Sequence, residues 1–202
     1  MKLNRIVRWG LLGLAAAAAT VTGLSAPTIA QGSYSRDGLT IICGVDAENR
    51  LSYRLDNNTR RSNDAEYTLQ VDGDKIDSAV SSLVITIPEA FSRYRGRLEL
   101  DKISVYYGRI DEPGNEIVVE EVLWDDRVFS GVRDFSDELD KLEIYLGEDV
   151  PANTSFIIQF EDVRNPTRAL QQRVNLQVVP RGQELATYIG TWEMLIAYED
   201  RD

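Results

Sequence analysis

Apolar and polar side chains alternate at every second residue along most of this chain, and that period limits its fold more than any other feature. Leu83, Ile85 and Ile87 alternate with Val84 and Thr86, and Ile103, Val105 and Tyr107 repeat the pattern. Leu142, Ile144 and Leu146 do the same, followed by Phe156, Ile158 and Phe160 and then Val174, Leu176 and Val178. A strand turns successive side chains to opposite faces, so this period, rich in β-branched and aromatic residues, specifies half-buried strands. Residues 39–45, 50–55, 66–71, 97–101, 116–124 and 191–198 read the same way.

Turn chemistry separates the runs at short intervals: Asp72-Gly73, Glu112-Pro113-Gly114-Asn115, Val150-Pro151-Ala152-Asn153, Asn165-Pro166 and Pro180-Arg181-Gly182. Helix signals are brief. Pro88 can open one turn over Glu89 to Tyr94, and Ser136 can cap a short helix through Leu139 and Lys141. No glycine-rich phosphate loop joins a strand to a helix, which disfavours a doubly wound nucleotide fold. The expectation is an all-β chain: an antiparallel β-sandwich, immunoglobulin-like, with one or two short helices. The polar stretch Asp56 to Asp64 reads as a loop dividing an N-terminal hairpin segment, 31–63, from the sandwich, 64–202, which ends in a short acidic tail.

The first thirty residues speak to compartment. Lys2, Arg5 and Arg8 precede an apolar run from Leu11 to Ala26, and Thr28-Ile29-Ala30 offers small residues before Gln31. This is the layout of a cleaved secretory signal peptide over residues 1–30. The apolar run is shorter than the roughly 20 residues a bilayer-spanning helix needs, and Pro27 follows it. An exported protein of the periplasm or cell exterior is expected, with no membrane association after cleavage.

Charge and rare residues exclude whole classes of function. The chain carries a net charge of −11, and cleavage would remove three cations and no acid. That balance disfavours nucleic acid and anionic membrane surfaces as partners. Most cations are arginines, suited to bidentate pairing with the carboxylate excess. There is no histidine, which excludes Ser-His-Asp and Cys-His nucleophiles and histidine-ligated metals. The single cysteine, Cys43, has no partner for an intrachain disulfide. It lies in an apolar run and reads as a buried, inert thiol, with an intermolecular disulfide as the alternative.

The second half of the chain carries a set of motifs: Glu66-Tyr67-Thr68-Leu69, Val84-Ile85-Thr86-Ile87-Pro88 with Phe91, Val150-Pro151-Ala152-Asn153-Thr154, Val163-Arg164-Asn165-Pro166, and Tyr188-Ile189-Gly190-Thr191-Trp192. In this order they resemble a family of exported cyanobacterial proteins whose domain is of unknown function. The segment after Arg-Asn-Pro, Thr167 to Arg173, lacks the glycine and aromatic residues common there in that family. The resemblance implies a signal peptide, an envelope location or, in a cyanobacterium, the thylakoid lumen, and a β-rich fold; it implies no activity and no site residues.

Candidate sites follow from side-chain chemistry. Asp72, Asp74 and Asp77 are the nearest approach to a calcium loop, but they lack the EF-hand order and read better as a hairpin turn. Asp134, Asp137, Glu138 and Asp140, with Glu120, Glu121, Asp125 and Asp126, read as a solvated acidic face. Trp124, Trp192, Tyr106 and Tyr107 suit either sugar stacking or the sheet faces. Arg93-Tyr94-Arg95-Gly96-Arg97 reads as pairing with acidic surface. Arg164, Asn165 and Pro166 read as a structural turn: proline fixes φ, asparagine bonds nearby backbone, and arginine serves as a strut. No cofactor is expected. The reading is a non-enzymatic envelope module that binds or supports an envelope protein or polysaccharide. Its alternatives are a carbohydrate-binding or carbohydrate-acting protein using carboxylates and aromatics, and a calcium-dependent adhesion module.

Overall fold

The alternating runs become strands packed as two sheets. The structure, a computed structural model, describes residues 45–125 and 139–198. Among these the strands are β1 (Tyr53–Asp56), β2 (Ala65–Val71), β3 (Val80–Pro88), β4 (Ile103–Arg109) and β5 (Glu112–Ile117). They continue with β6 (Val119–Asp125), β7 (Leu139–Val150), β8 (Phe156–Val163), β9 (Leu170–Pro180) and β10 (Thr187–Ile196). One sheet has the order β1-β2-β8-β4-β5 and the other β10-β9-β3-β7-β6, with every strand pair antiparallel. The expected antiparallel β-sandwich is the observed architecture.

The core is what the period specifies. Leu69, Val105, Ile158 and Phe160 from the first sheet meet Leu83, Ile85, Leu142, Ile144, Leu176 and Trp192 from the second in one buried cluster. The Trp192 indole N–H donates to the Gln70 carbonyl at 3.2 Å, so its one polar atom is satisfied inside that core. Several connections cross between sheets. Residues 89–102, from β3 to β4, carry a single-turn helix, α1 (Ala90–Arg93), and a 3-10 turn at Leu100–Lys102. The β8 to β9 connection contains Arg164, Asn165 and Pro166. These two crossovers lie side by side: Arg97 and Arg164 form an antiparallel bridge, each N–H bonded to the other's carbonyl at 3.0 and 2.9 Å.

The first described residues are built into the sandwich. Leu51 donates its N–H to Thr191 of β10 at 3.0 Å, and Ser52 accepts from Gln70 of β2 at 2.9 Å, so adjacent residues bond to both sheets. Leu51 is buried in the core. Its approach needs Gly190, where a Cβ would sit 2.7 Å from the Asn49 carbonyl oxygen and 2.8 Å from Leu51 Cγ. The glycine of Gly-Thr-Trp is thus a clearance position.

Some local expectations are corrected. β1 pairs with β2, so residues 53–56 form an edge strand of the sandwich and the division after residue 63 falls inside it. The loop 57–64 is a clasp: Asn58 donates to the Leu195 carbonyl and accepts from the Ala197 N–H, both at 2.7 Å. Glu112-Pro113-Gly114-Asn115 is strand, not turn. The chain reverses at Ile110-Asp111, and β5 is an edge strand, where proline's missing N–H is tolerated. Residues 97–101 supply one bridge and part of a 3-10 turn instead of a strand. Leu139 to Lys141 open β7 and are not helical, while the proposed cap Ser136 lies outside the described residues.

Candidate functional site

The Arg-Asn-Pro segment is organised around its asparagine. Asn165 is 1% exposed, and its backbone N–H donates to the Ser62 carbonyl at 2.8 Å. Its Oδ1 accepts from the Tyr67 hydroxyl at 2.5 Å, and its Nδ2 donates to the carbonyls of Thr59 at 2.9 Å and Asn57 at 3.4 Å. Pro166 is buried, and its carbonyl accepts from the Arg61 N–H at 3.2 Å. Burial pushes the Tyr67 phenol well above its ordinary pKa, so it stays a donor to Asn165. Arg164 differs: its backbone is bridged to Arg97, but its side chain is exposed. The strut expected of Arg164 is therefore supplied by Asn165, and the arginine is left facing solvent.

Beside this joint, α1 ends in a conformation that selects glycine in most proteins. The Gly96 N–H donates to the Phe91 carbonyl and the Arg95 N–H to the Ser92 carbonyl, both at 2.8 Å. That is the Schellman pattern, whose C′ residue lies in the left-handed region and is usually glycine. Here the C′ residue is Arg95, at φ +68°. Gly96 follows because a Cβ there would lie 2.8 Å from the Phe91 carbonyl oxygen. An L-residue in this conformation costs roughly 1–2 kcal/mol.

Arg95 lines a groove of about 780 Å³ with Ser92, Arg97, Glu99, Asp101, Trp124 and Arg164. The neighbouring arginines are occupied. Arg93 pairs with Glu89 at 2.6 Å, Arg97 with Glu99 at 3.4 Å, and Arg168 lies over the Tyr94 ring, 4.9 Å from its centroid. Among the described residues, Arg95 and Arg164 have no ion-pair partner. Two uncompensated guanidinium groups thus share a groove with an aromatic side chain on a protein of strongly negative net charge.

The other candidates fall elsewhere. Asp72 accepts from Gln70 at 2.8 Å and Arg109 at 3.0 Å, whereas Asp74 and Asp77 are exposed. Among the described residues no three acidic or cysteine side chains gather as a metal group. Glu120 and Glu121 are exposed, and Asp140 accepts from the Ser92 hydroxyl. Cys43, Asp126, Asp134, Asp137 and Glu138 lie outside the described residues. Trp192 is core, and Tyr107 donates to Glu148 at 3.3 Å. Tyr106 and Trp124 are half-buried, and only Trp124 reaches the groove. Sequence reasoning named Trp124, Arg95 and Arg164 separately; their meeting depends on the pairing of two crossovers, which no local pattern encodes.

The family model described as "Protein of unknown function (DUF2808)" matches residues 41–196, spanning both sheets. The chain belongs to the DUF2808 family. No curated protein matches it. Among solved structures, this DUF2808 chain is similar to the collagen-binding subdomain of the Enterococcus faecalis surface protein ACE, at 13% identity and a TM-score of 0.38. That match covers 71% of this chain and 96% of the other. It is also similar to a collagen-binding domain of a Staphylococcus aureus adhesin, at 9% identity and TM-score 0.35, covering 70% and 93%. An uncharacterised Nocardia farcinica protein with an immunoglobulin-like fold matches at 10% identity and TM-score 0.34, covering 73% and 98%.

Proposed function

We propose that this protein is an exported, non-catalytic binding module of the cell envelope, and that the groove beside the paired crossovers takes an anionic ligand. The observation that carries this reading is Arg95. A left-handed residue at a helix C′ is stabilised by replacement with glycine, so arginine there is a local cost whose return is the placement of its guanidinium in the groove. Arg164 adds a second free cation from the opposite crossover. Guanidinium groups suit oxyanions because their planar donors match them bidentately. Binding is favoured over catalysis by the state of the groove's acids. Glu99 is in an exposed ion pair with Arg97, not in the apolar setting that makes a carboxyl group a general acid. Export rests on the signal-like first thirty residues; among the described residues no helix is long and apolar enough to cross a membrane.

The test uses Arg95→Gly. This variant should be as stable as the parent or more stable, by about 0.5–1 kcal/mol, because glycine relieves the left-handed strain. Parent and variant are passed over immobilised polygalacturonate and polyglutamate at low and raised salt. The parent should be retained by at least one polyanion at low salt and released at raised salt, and the variant should not be retained. A parent that ignores both polymers, or a variant retained equally, sinks the reading.

A further inference from the structure

The groove is mixed in charge, and the mixture narrows the chemistry of what fits it. Arg95 and Arg164 present donors to an oxyanion, while Glu99 and Asp101 on the same lining present acceptors. A ligand that is densely anionic along its whole length, such as an acidic peptide, meets repulsion from those two carboxylates. A neutral ligand leaves both guanidinium groups without a counter-charge. The lining suits a molecule that alternates anionic groups with hydroxyl donors. Trp124 adds a further requirement. It is half-buried on β6, packs partly against the core and lines the groove. An indole held on a strand is a rigid apolar platform with little rotamer freedom left to lose on binding. The C–H face of a pyranose ring is a flat apolar surface of matching size, ringed by hydroxyls.

We propose that the groove binds an anionic polysaccharide, with a sugar ring on Trp124, its charged substituents on Arg95 and Arg164, and its hydroxyls donating to Glu99 and Asp101. This rests on the anionic-ligand reading above and adds the ligand's class. The cavity of about 780 Å³ lies within the range, roughly 300–1,000 Å³, of sites that enclose small organic molecules, so it takes a few rings of a longer chain. Guanidinium groups accept carboxylate and sulfate alike, so the polymer's charge comes from a uronic acid or a sulfate ester.

The experiment is a titration of the full chain with four polymers: polygalacturonate, dextran sulfate of low sulfate content, neutral dextran and polyglutamate. It is followed by Trp124 emission, taken as the difference between the parent and Trp124→Leu so that the signals of Trp9 and the core Trp192 are subtracted. The expected result is salt-sensitive binding of polygalacturonate or dextran sulfate, the tighter of the two naming the charged group. Neutral dextran should not bind, and polyglutamate should bind at least about tenfold more weakly. Arg95→Gly and Arg164→Ala should each weaken the preferred polymer about tenfold to a hundredfold, the equivalent of a lost charge-assisted hydrogen bond. Trp124→Leu should weaken it as well, read by calorimetry, and Trp124→Phe should restore much of the loss. Because Trp124 also packs on the core, both tryptophan variants are compared at matched unfolding midpoints. Polyglutamate binding as tightly as the sugars would overturn the polysaccharide inference and leave the anionic groove standing. Binding of none of the four would remove both. Full affinity in the Trp124→Leu variant would refute the stacking platform.

Discussion

Removing the Asn165 carboxamide tests whether the joint between the sheets is held as the structure describes. Asn165→Ala deletes the acceptor of the buried Tyr67 hydroxyl and the donor to the Thr59 and Asn57 carbonyls. A stranded buried polar group costs about 1–3 kcal/mol. The hydroxyl bears most of this, because Tyr67 is inside the core while Thr59 is only half-buried and within reach of water. The sum comes to roughly 2–4 kcal/mol, a large share of a domain's ordinary 5–15 kcal/mol. Tyr67→Phe should cost about 1–2 kcal/mol by leaving the Asn165 Oδ1 without its donor. The double variant should cost less than the sum of the two by about 1–2 kcal/mol, because each single change already breaks the shared bond. Arg164→Ala, touching an exposed side chain whose backbone bridge survives, should stay within about 0.5 kcal/mol. Urea titrations of the four variants beside the parent measure all of these. Strict additivity of the Asn165 and Tyr67 changes would refute the coupling, and a larger loss at Arg164 than at Asn165 would restore the arginine strut.

Tyr67 also predicts an alkaline signature. Its folded pKa lies above the unfolded value of 10.0, so its contribution is complete below that pH and is lost as pH rises above it. Above pH 10, stability of the parent should fall more steeply than that of Tyr67→Phe by about 1.4 kcal/mol per pH unit, and parallel curves would contradict the burial. Gly190→Ala should cost about 1–3 kcal/mol by overpacking Asn49 and Leu51, with faster proteolysis near residues 45–52 as the local readout. Millimolar calcium against chelator should leave the melting midpoint unchanged, because Asp72 is engaged by Arg109; a rise would revive the Asp72, Asp74 and Asp77 site.

Strand content was legible because period two is a local property: one residue's neighbours reveal which face it takes. Leu83, Ile85 and Ile87 point inward as their spacing requires. What failed was punctuation. Pro113 and Gly114 signal a turn wherever they occur, and nothing nearby says that their strand lies at a sheet edge, where both are tolerated. The site was less legible still. Of three consecutive residues, Arg164 had the reach of a strut, but only the path of the 57–64 loop decides that Asn165 is buried. The left-handed setting of Arg95 left a faint trace in the sequence: an arginine directly before Gly96, one position out of step with the usual glycine cap.

The order of strands within each sheet has a consequence for how this chain matures. β2 pairs early with β1 but meets its inner neighbour only in β8, and β3 pairs only with β7 and β9, so neither sheet has its central pairs until most of the chain exists. Closing such distant contacts costs loop entropy before any pairing offsets it, which defers folding to late in synthesis. A ribosome-bound chain ending before residue 156 lacks the centre of the first sheet altogether. Until then the first sheet is two separate hairpins, β1-β2 and β4-β5, and the strand that joins them is the one the chain makes late.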